Sequence, residues 1–107
     1  MRIPRRSRRH RLRLRVATCR SKSLTVDVSA GGFCTEMMRV FPVGEHLEGL
    51  IHLNGHDLFF TGRVAWARAG DPRIGELGRM GVCFRQIDPE FARGLASNGI
   101  PTQAQGC

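Results

Sequence analysis

Apolar and polar residues alternate along most of the chain, and this repeat of two indicates β-strands that bury one face. The apolar positions of the first two alternating segments are Leu12, Leu14 and Val16, then Leu24, Val26 and Val28. A third segment places Phe33, Thr35 and Met37 on one side. The pattern therefore predicts strands over 11–16, 23–29 and 32–37, each with these residues facing a core.

Three further strands are predicted after a connection that contains proline and glycine. Asn54-Gly55 separates two of them and favours a type I′ hairpin, because both residues tolerate positive φ. The return strand, 56–69, is long and carries Gly62 among its apolar positions, which indicates a bend or a bulge. The sixth strand is expected over 80–84.

A short helix is expected over about 89–97. Asp88 is a good N-terminal cap, and Pro89 suits the first helical position. Asn98-Gly99 would end the helix. The elements together predict an all-β fold, a small six-stranded antiparallel barrel with a short C-terminal helix. A barrel of this size is filled by side chains, so a binding site belongs on its outer wall, at a mouth or on a terminal arm.

The positive charge of the chain is concentrated at its start. The 107 residues carry a net charge of +8, and residues 1–20 hold nine arginines and no acid. The rest of the chain has eight cations and nine acids, a net of −1. A local cluster of guanidinium groups is suited to binding anions. The chain is predicted to divide into a basic N-terminal arm (1–10), a barrel domain with its helix (11–97) and a polar tail (98–107).

Several classes of protein do not fit this sequence. No apolar run follows the basic start and none approaches the length of a membrane span, so we expect a cytoplasmic protein without a membrane span. The histidines and cysteines lack metal-ligand spacing, and no cofactor is predicted. Ser29 lacks the GxSxG pattern of a nucleophile elbow. We expect no enzymatic activity.

The stretch TVDVSAGGF, residues 25–33, combines polar groups with a glycine turn. Asp27 and Ser29 lie two apart in a predicted strand, so they share the face opposite the apolar stripe. Gly31 and Gly32 allow a tight turn. The arginine-rich arm enters the neighbouring strand and can fold back over this face. Guanine fits both groups, because its O6 and N7 accept an arginine fork and its N1–H donates to a carboxylate.

DVSAGG, residues 27–32, resembles the DxSxxG signature of the PilZ domain family, and RRSRR supplies the upstream RxxxR element through Arg5 and Arg9. FTGRVAWAR (60–68) and GRMGVCFRQIDPE (78–90) are similar to later strands of the family. The resemblance covers roughly residues 2–96. It implies a six-stranded barrel that binds the bacterial second messenger cyclic di-GMP.

The resemblance also implies a role for individual residues. Arg5 and Arg9 would contact guanine edges and phosphates, Asp27 would accept from a guanine edge, and Ser29 and Gly32 would shape the pocket. The full implied ligand set is Arg5, Arg6, Arg8, Arg9, Asp27, Ser29, Gly31 and Gly32. Two more RxxxR pairs overlap the first, at 9/13 and 11/15. The 5/9 pair is preferred, because the arginines at 13 and 15 alternate with core leucines.

Three functions are compatible with these features. The first is a cyclic di-GMP receptor whose arm changes conformation and signals to a partner protein, such as motility, pilus or exopolysaccharide machinery. The second is a PilZ-like interaction module, in motility or pilus assembly, that does not require the nucleotide. The third is a basic-arm nucleic-acid binder, which is disfavoured because the arm lacks interleaved aromatic residues.

Each candidate residue also has a purely structural interpretation. Asp27 and Ser29 can cap a turn by accepting from backbone amides, and this role can coexist with ligand binding. The large aromatic residues are expected in the core, namely Trp66, Phe33, Phe59, Phe84 and Phe91.

Overall fold

The protein is described by a computed structural model over residues 10–100. Its strands are β1 (Arg15–Thr18), β2 (Lys22–Ser29), β3 (Gly32–Met37), β4 (His46–Leu53), β5 (His56–Arg68) and β6 (Gly78–Ile87), and its helix is α1 (Glu90–Ser97). A single 3₁₀ turn, Pro72–Ile74, lies between β5 and β6. The strands close into an antiparallel barrel in the order β1-β2-β3-β6-β5-β4. The predicted all-β barrel with a short C-terminal helix is confirmed.

The turns form where the sequence places them. Asn54 and Gly55 have φ values of 52° and 82° and join β4 to β5 as a two-residue hairpin. The register of β5 against β6 shifts between Thr61 and Gly62, which confirms the irregularity predicted from that glycine. At the end of α1, Gly99 has φ 75°. The Asp88 carboxylate accepts from the backbone N–H of the first helical residue at 2.9 Å.

Phenylalanine rings fill the barrel interior. Phe33 and Phe60 meet edge to face with centroids 5.5 Å apart, and Phe84 lies 5.7 Å from each of them. Phe91 of α1 contacts Phe84 at 5.2 Å and is 1% exposed, so the helix closes one mouth of the barrel. Such ring pairs add about 0.5–1.5 kcal/mol beyond their burial. The interior is therefore packed, and a ligand must bind outside it.

Three residues expected in the core lie on the surface instead. Leu24, Phe59 and Trp66 are 42%, 49% and 42% exposed. Phe59 points outward because it alternates with the buried Leu58 and Phe60. Leu24 and Trp66 are displaced by bulges, each of which inserts one residue and exchanges the two faces of a strand.

The bulge in β2 falls on Val26. Thr25 pairs with Thr35 and Asp27 pairs with Cys34, so Val26 has no direct partner across the β2–β3 ladder. Before the bulge, the odd-numbered Thr25 is buried at 1% exposure, and after it the even-numbered Val28 is buried at 0%. The face change explains why Leu24 is exposed. The bulge in β5 explains the exposed Trp66 in the same way. Val64 pairs with Val82 and Trp66 with Gly81, so the residue between them is skipped.

A buried hydroxyl attaches the residues before β1 to this bulge. The Thr25 hydroxyl donates to the Leu12 carbonyl and accepts from the Leu14 N–H, the latter at 2.8 Å. The Thr25 N–H also donates to the Leu14 carbonyl at 2.9 Å. Residues 10–14 therefore follow β2 without forming the full strand predicted over 11–16. The inward face predicted for Leu14 and Val16 is confirmed, at 8% and 4% exposure.

Candidate functional site

Asp27 occupies an outward position near the end of β2, as the sequence predicted. The residue is half-buried, and its strand neighbour Val28 points into the core. The Val26 bulge has a direct consequence here, because a regular strand could not present both Leu24 and Asp27 to the outside. One strand thus contributes a leucine to one part of the barrel wall and a carboxylate to the next.

Ser29 is buried in the turn that follows. It is 3% exposed, and its hydroxyl accepts from the Gly31 N–H at 3.3 Å and donates to the Gly32 carbonyl at 3.5 Å. The expectation that Ser29 protrudes beside Asp27 is therefore wrong, whereas the turn-cap interpretation is confirmed. The hydroxyl fixes the shape of the β2–β3 turn beside the carboxylate.

The glycines of the turn have a different purpose from the one expected. Residues with positive φ in the described range do not include Gly31 or Gly32. Gly32 is required by close approach instead, because a Cβ there would lie 2.0 Å from the Val82 carbonyl oxygen of β6. The backbone carbonyl of Gly31 accepts from the Phe84 N–H at 2.9 Å. Both glycines hold the turn tightly against β6.

The strand register places Asp27 in a row of small residues that ends at a tryptophan. Asp27 pairs with Cys34 of β3, Cys34 pairs with Gly81 of β6, and Gly81 pairs with Trp66 of β5. The indole lies across the glycine, since a Cβ on Gly81 would lie 2.1 Å from Nε1. We name the outer surface of β2, β3, β6 and β5 around this row the signature wall.

The signature wall has a low floor between two different chemical groups. Cys34 forms the floor, with the Asp27 carboxylate on one side and the half-exposed Trp66 ring, which lies over Gly81, on the other. Neighbouring strands are about 4.8 Å apart, so about 10 Å separate the strand of Asp27 from that of Gly81. A carboxylate and an aromatic ring thus lie on either side of one small residue.

Cations flank this row on both sides. Arg63 pairs with Cys83 in the row above, and Arg68 pairs with Arg79 in the row below. Arg79 is held by Glu36, with Nη2 and Oε2 2.9 Å apart. Arg63 and Arg68 are exposed, and no carboxylate of residues 10–100 lies within 4 Å of either. The wall therefore favours a ligand with negative charge.

His10 marks where the basic arm meets the barrel. Its N–H donates to the Val28 carbonyl and its carbonyl accepts from the Val28 N–H, both at 2.9 Å. The chain that leads into β1 thus starts beside the strand that carries Asp27. The His10 Nε2 is buried and has no hydrogen-bond partner in this part of the chain. Arg5, Arg6, Arg8 and Arg9 lie outside the described residues, and their roles stay predictions.

Trp66 is a residue of this candidate site that was expected in the core. Its apolar neighbours at 60 and 64 share its parity, so a regular strand would bury all three. The bulge that turns the ring outward leaves no mark in the alternation pattern. The available signal was the glycine-rich GRMG segment, 78–81, which supplies a partner strand with no side chain under the ring.

The site has neither a metal cluster nor a membrane helix among residues 10–100. No group of three or more His, Cys, Asp or Glu side chains in this range could hold a metal ion. The one α-helix of the same range is too short and too polar to cross a bilayer.

Comparison with known proteins places this fold in context. The solved structures similar to the chain include the following two. The Bacillus subtilis inhibitor of motility MotI/DgrA matches with 20% identity and a TM-score of 0.69, over 90% of this chain and 49% of that one. The PilZ domain of CeSA from a cellulose-synthesizing bacterium matches with 19% identity and a TM-score of 0.55, over 86% of this chain and 99% of that one. The chain thus spans about half the length of the motility inhibitor.

The family assignment comes from the sequence itself. A search of curated proteins found no match. The family model of the PilZ domain matches residues 2–97, which includes the basic arm, the DxSxxG signature and α1. With most of the chain matched and the predicted barrel in place, this chain belongs to the PilZ domain family.

Proposed function

We propose that this protein is a receptor for cyclic di-GMP that acts as an adaptor and not as a catalyst. The nucleotide binds on the signature wall, and the basic arm closes over it. The arm's change of conformation alters the surface that a partner protein contacts. PilZ domains as a family are receptor and adaptor modules, which agrees with this role.

The observation that carries the proposal is the pairing of His10 with Val28. Arg9 is bonded to His10, so the two Cα atoms are about 3.8 Å apart. Arg5 is five residues from His10, and an extended chain of that length reaches about 17 Å. Because His10 pairs with β2 on the side away from β3, three strand spacings, about 14 Å, lead from His10 to β6. The arm is therefore long enough to bring both arginines of the RxxxR element over the row from Asp27 to Gly81.

The chemistry of the wall matches a guanine nucleotide. Asp27 accepts from the N1–H and the exocyclic amine of a guanine, which present two donors side by side. The Trp66 ring supplies a stacking face, and arginine forks bind phosphates or the O6 and N7 of a base. Ser29 and Gly32 act indirectly, because they fix the turn that positions Asp27.

A few such contacts are sufficient for binding in the micromolar range. A charge-assisted hydrogen bond contributes about 1.5–3 kcal/mol, and stacking of a base on an aromatic ring about 1–3 kcal/mol. Micromolar affinity requires about −8 kcal/mol. Two arginine contacts, the Asp27 pair and one stacked base amount to about 7–15 kcal/mol, a range that includes this value before the cost of fixing the arm is subtracted.

Titration calorimetry with cyclic di-GMP tests the proposal directly. The wild type is expected to bind in the micromolar range or tighter, and Arg9→Ala and Asp27→Ala to weaken binding at least tenfold. Arg39→Ala and Asp57→Ala are matched controls, because both residues are exposed away from the signature wall. The absence of heat with wild type, or equal binding by all four variants, would show that the protein is not such a receptor.

Tryptophan fluorescence gives an independent measurement of cyclic di-GMP binding. Trp66 is the only tryptophan of the chain, so its fluorescence reports on this wall alone. Cyclic di-GMP is expected to quench it, and cyclic di-AMP at the same concentration to leave it largely unchanged. Long duplex DNA serves as the test of the nucleic-acid alternative. Tight, salt-sensitive binding to DNA without a response to the dinucleotide would favour that alternative instead.

A second candidate function is protein binding without the nucleotide. The similarity to a structure described as an inhibitor of motility favours a partner from motility machinery. The two functions predict different effects of Asp27→Ala. A receptor loses its partner response together with the nucleotide, whereas an interaction module retains the partner. A pull-down with motility components, with and without cyclic di-GMP, separates the two.

A further inference from the structure

A groove of 760 Å³ runs along the barrel surface outside the signature wall. It crosses the outer faces of β2, β1 and β4. Its lining side chains include Arg13, Arg15, Lys22, Leu24, Leu50 and Leu77. We name it the leucine groove. The row from Asp27 to Trp66 contributes no residue to it, so the two surfaces are separate although β2 takes part in both.

The floor of the leucine groove is apolar and open to water. Leu24, Leu50 and Leu77 are 42%, 41% and 41% exposed. Phe59, at 49% exposure, pairs directly with Leu50 across the β4–β5 ladder and extends the apolar surface beyond the groove. Single exposed leucines are ordinary, but several around one concave surface mark an interaction site.

The uncompensated charge of the groove is positive. Its two carboxylates already have cationic or hydrogen-bonding partners: Glu36 is paired with Arg79 at 2.9 Å, and Asp57 with His52 at 2.9 Å. Arg13, Arg15 and Lys22 are exposed, and no carboxylate of residues 10–100 lies within 4 Å of any of them. An occupant that carries both leucine-like and acidic side chains would complement this surface.

We propose that the leucine groove docks an acidic amphipathic segment of a partner protein. A second copy of this chain is disfavoured, because it would bring the same cations against each other. Strand addition is also disfavoured, because the closed barrel offers no free edge to a partner strand. Nucleic acid would match the cations but leave the leucines without a partner. The proposal does not rest on cyclic di-GMP binding.

The test uses the full chain labelled with ¹⁵N and two synthetic helical peptides of about 15 residues. One peptide has a leucine face bordered by glutamates, and its twin has lysines at the same positions. The acidic peptide is expected to shift the amide signals of Leu24, Leu50 and Arg15 and to saturate below about 1 mM. Equal binding of both peptides, shifts confined to other surfaces, or no saturation with the acidic peptide would overturn the proposal.

A charge-reversal variant tests whether the cations of the groove select the acidic peptide. Arg15→Glu combined with Lys22→Glu is expected to weaken the acidic peptide about tenfold or more and to let the basic twin bind. Arg39→Glu combined with Arg85→Glu is the matched control, since both arginines are exposed outside the groove. The same loss in the control pair would contradict a local site. Sedimentation of the peptide-free protein completes the test, because a dimer that protects Leu24 and Leu50 would identify a second copy as the occupant.

Discussion

The signature wall and the leucine groove lie on one barrel but are formed by side chains of different size and chemistry. The signature wall has small residues, Cys34 and Gly81, in its outward row, and the Trp66 ring lies over Gly81. The groove has leucine side chains as its floor, with long cations at the rim. A low, flat surface suits a planar base, whereas leucines suit the apolar face of a peptide. Two candidate binding surfaces of different chemistry are therefore compatible with a single small core.

Strand β2 shows how the two surfaces are kept apart. Leu24 and Asp27 are three residues apart, and a regular strand would point them to opposite faces. The extra residue Val26 makes both point outward, one toward the groove and the other toward the signature wall. The bulge is thus the feature that lets one strand contribute to both surfaces.

Deletion of Val26 is expected to lower the free energy of unfolding more than any other change proposed here. Without the bulge, the faces of half the strand are exchanged, so either Thr25 leaves the core and Leu24 enters it, or Val28 leaves and Asp27 enters. Misplacing two side chains in this way costs about 3–6 kcal/mol, a large part of the total stability of such a domain. Urea unfolding measures the loss. Val26→Ala keeps the bulge and is the control, and equal stability of the deletion and this variant would show that the bulge is not needed.

Glycine substitutions compare the packing of the two surfaces. A Cβ on Gly49 would meet the Ala17 carbonyl oxygen at 2.3 Å, whereas a Cβ on Gly81 would meet the movable indole. We expect Gly49→Ala to lower the free energy of unfolding by about 3 kcal/mol and Gly81→Ala by about 1 kcal/mol.

The two variants should also differ in function. Gly81→Ala pushes the Trp66 ring away, so it should change the tryptophan fluorescence and weaken cyclic di-GMP binding about tenfold. Peptide binding in the leucine groove should be unaffected. Unchanged fluorescence in this variant would mean that the ring does not rest on Gly81 in solution.

The Thr25 hydroxyl joins the two surfaces to the segment that leads from the arm. Thr25→Val leaves the Leu12 carbonyl and the Leu14 N–H without this buried partner, and we expect a loss of about 1–3 kcal/mol. Hydrogen exchange at Leu14 should accelerate, while exchange in β6 should change only with global stability. Thr61→Val is a control at a half-buried position of β5. Equal exchange in both variants would argue against a local attachment.

The smallest expected change in stability comes from Asp71, which lies outside both surfaces. The Arg73 side chain beside Asp71 lowers the pKa of this carboxyl from its usual 3.8. A lowered folded-state pKa stabilises the protein above pH 3.8, and this contribution disappears as the pH falls through the folded-state pKa. Asp71→Asn should therefore be slightly less stable than wild type at pH 7 and equal to it in strong acid. Thermal melting across this range measures the difference, and a constant difference would contradict the pairing.

Much of the fold could be read from the alternation of residues. The hairpin at Asn54-Gly55 and the helix after Asp88 formed where local chemistry required them. These features depend on φ preferences and capping within a few residues, which a sequence displays directly.

The bulges could not be read in the same way. Whether Val26 is inserted depends on Thr25 finding Leu12 and Leu14 across the barrel wall, and these partners are remote along the chain. The exposed Trp66 depends in turn on Gly81 of another strand. A pattern of apolar residues records preference for burial but not which residue of a strand is skipped. The outward position of Asp27 could therefore be predicted, whereas the exposure of Trp66 beside the same row could not.

Closure of the barrel also affects how the surface of the protein can evolve. With each of the six strands hydrogen-bonded on both sides, recognition must come from side chains and not from main-chain pairing. Outward-facing residues can then be exchanged one by one without disturbing the hydrogen-bonded ring. A scaffold of this kind can acquire new binding partners while its architecture is inherited unchanged.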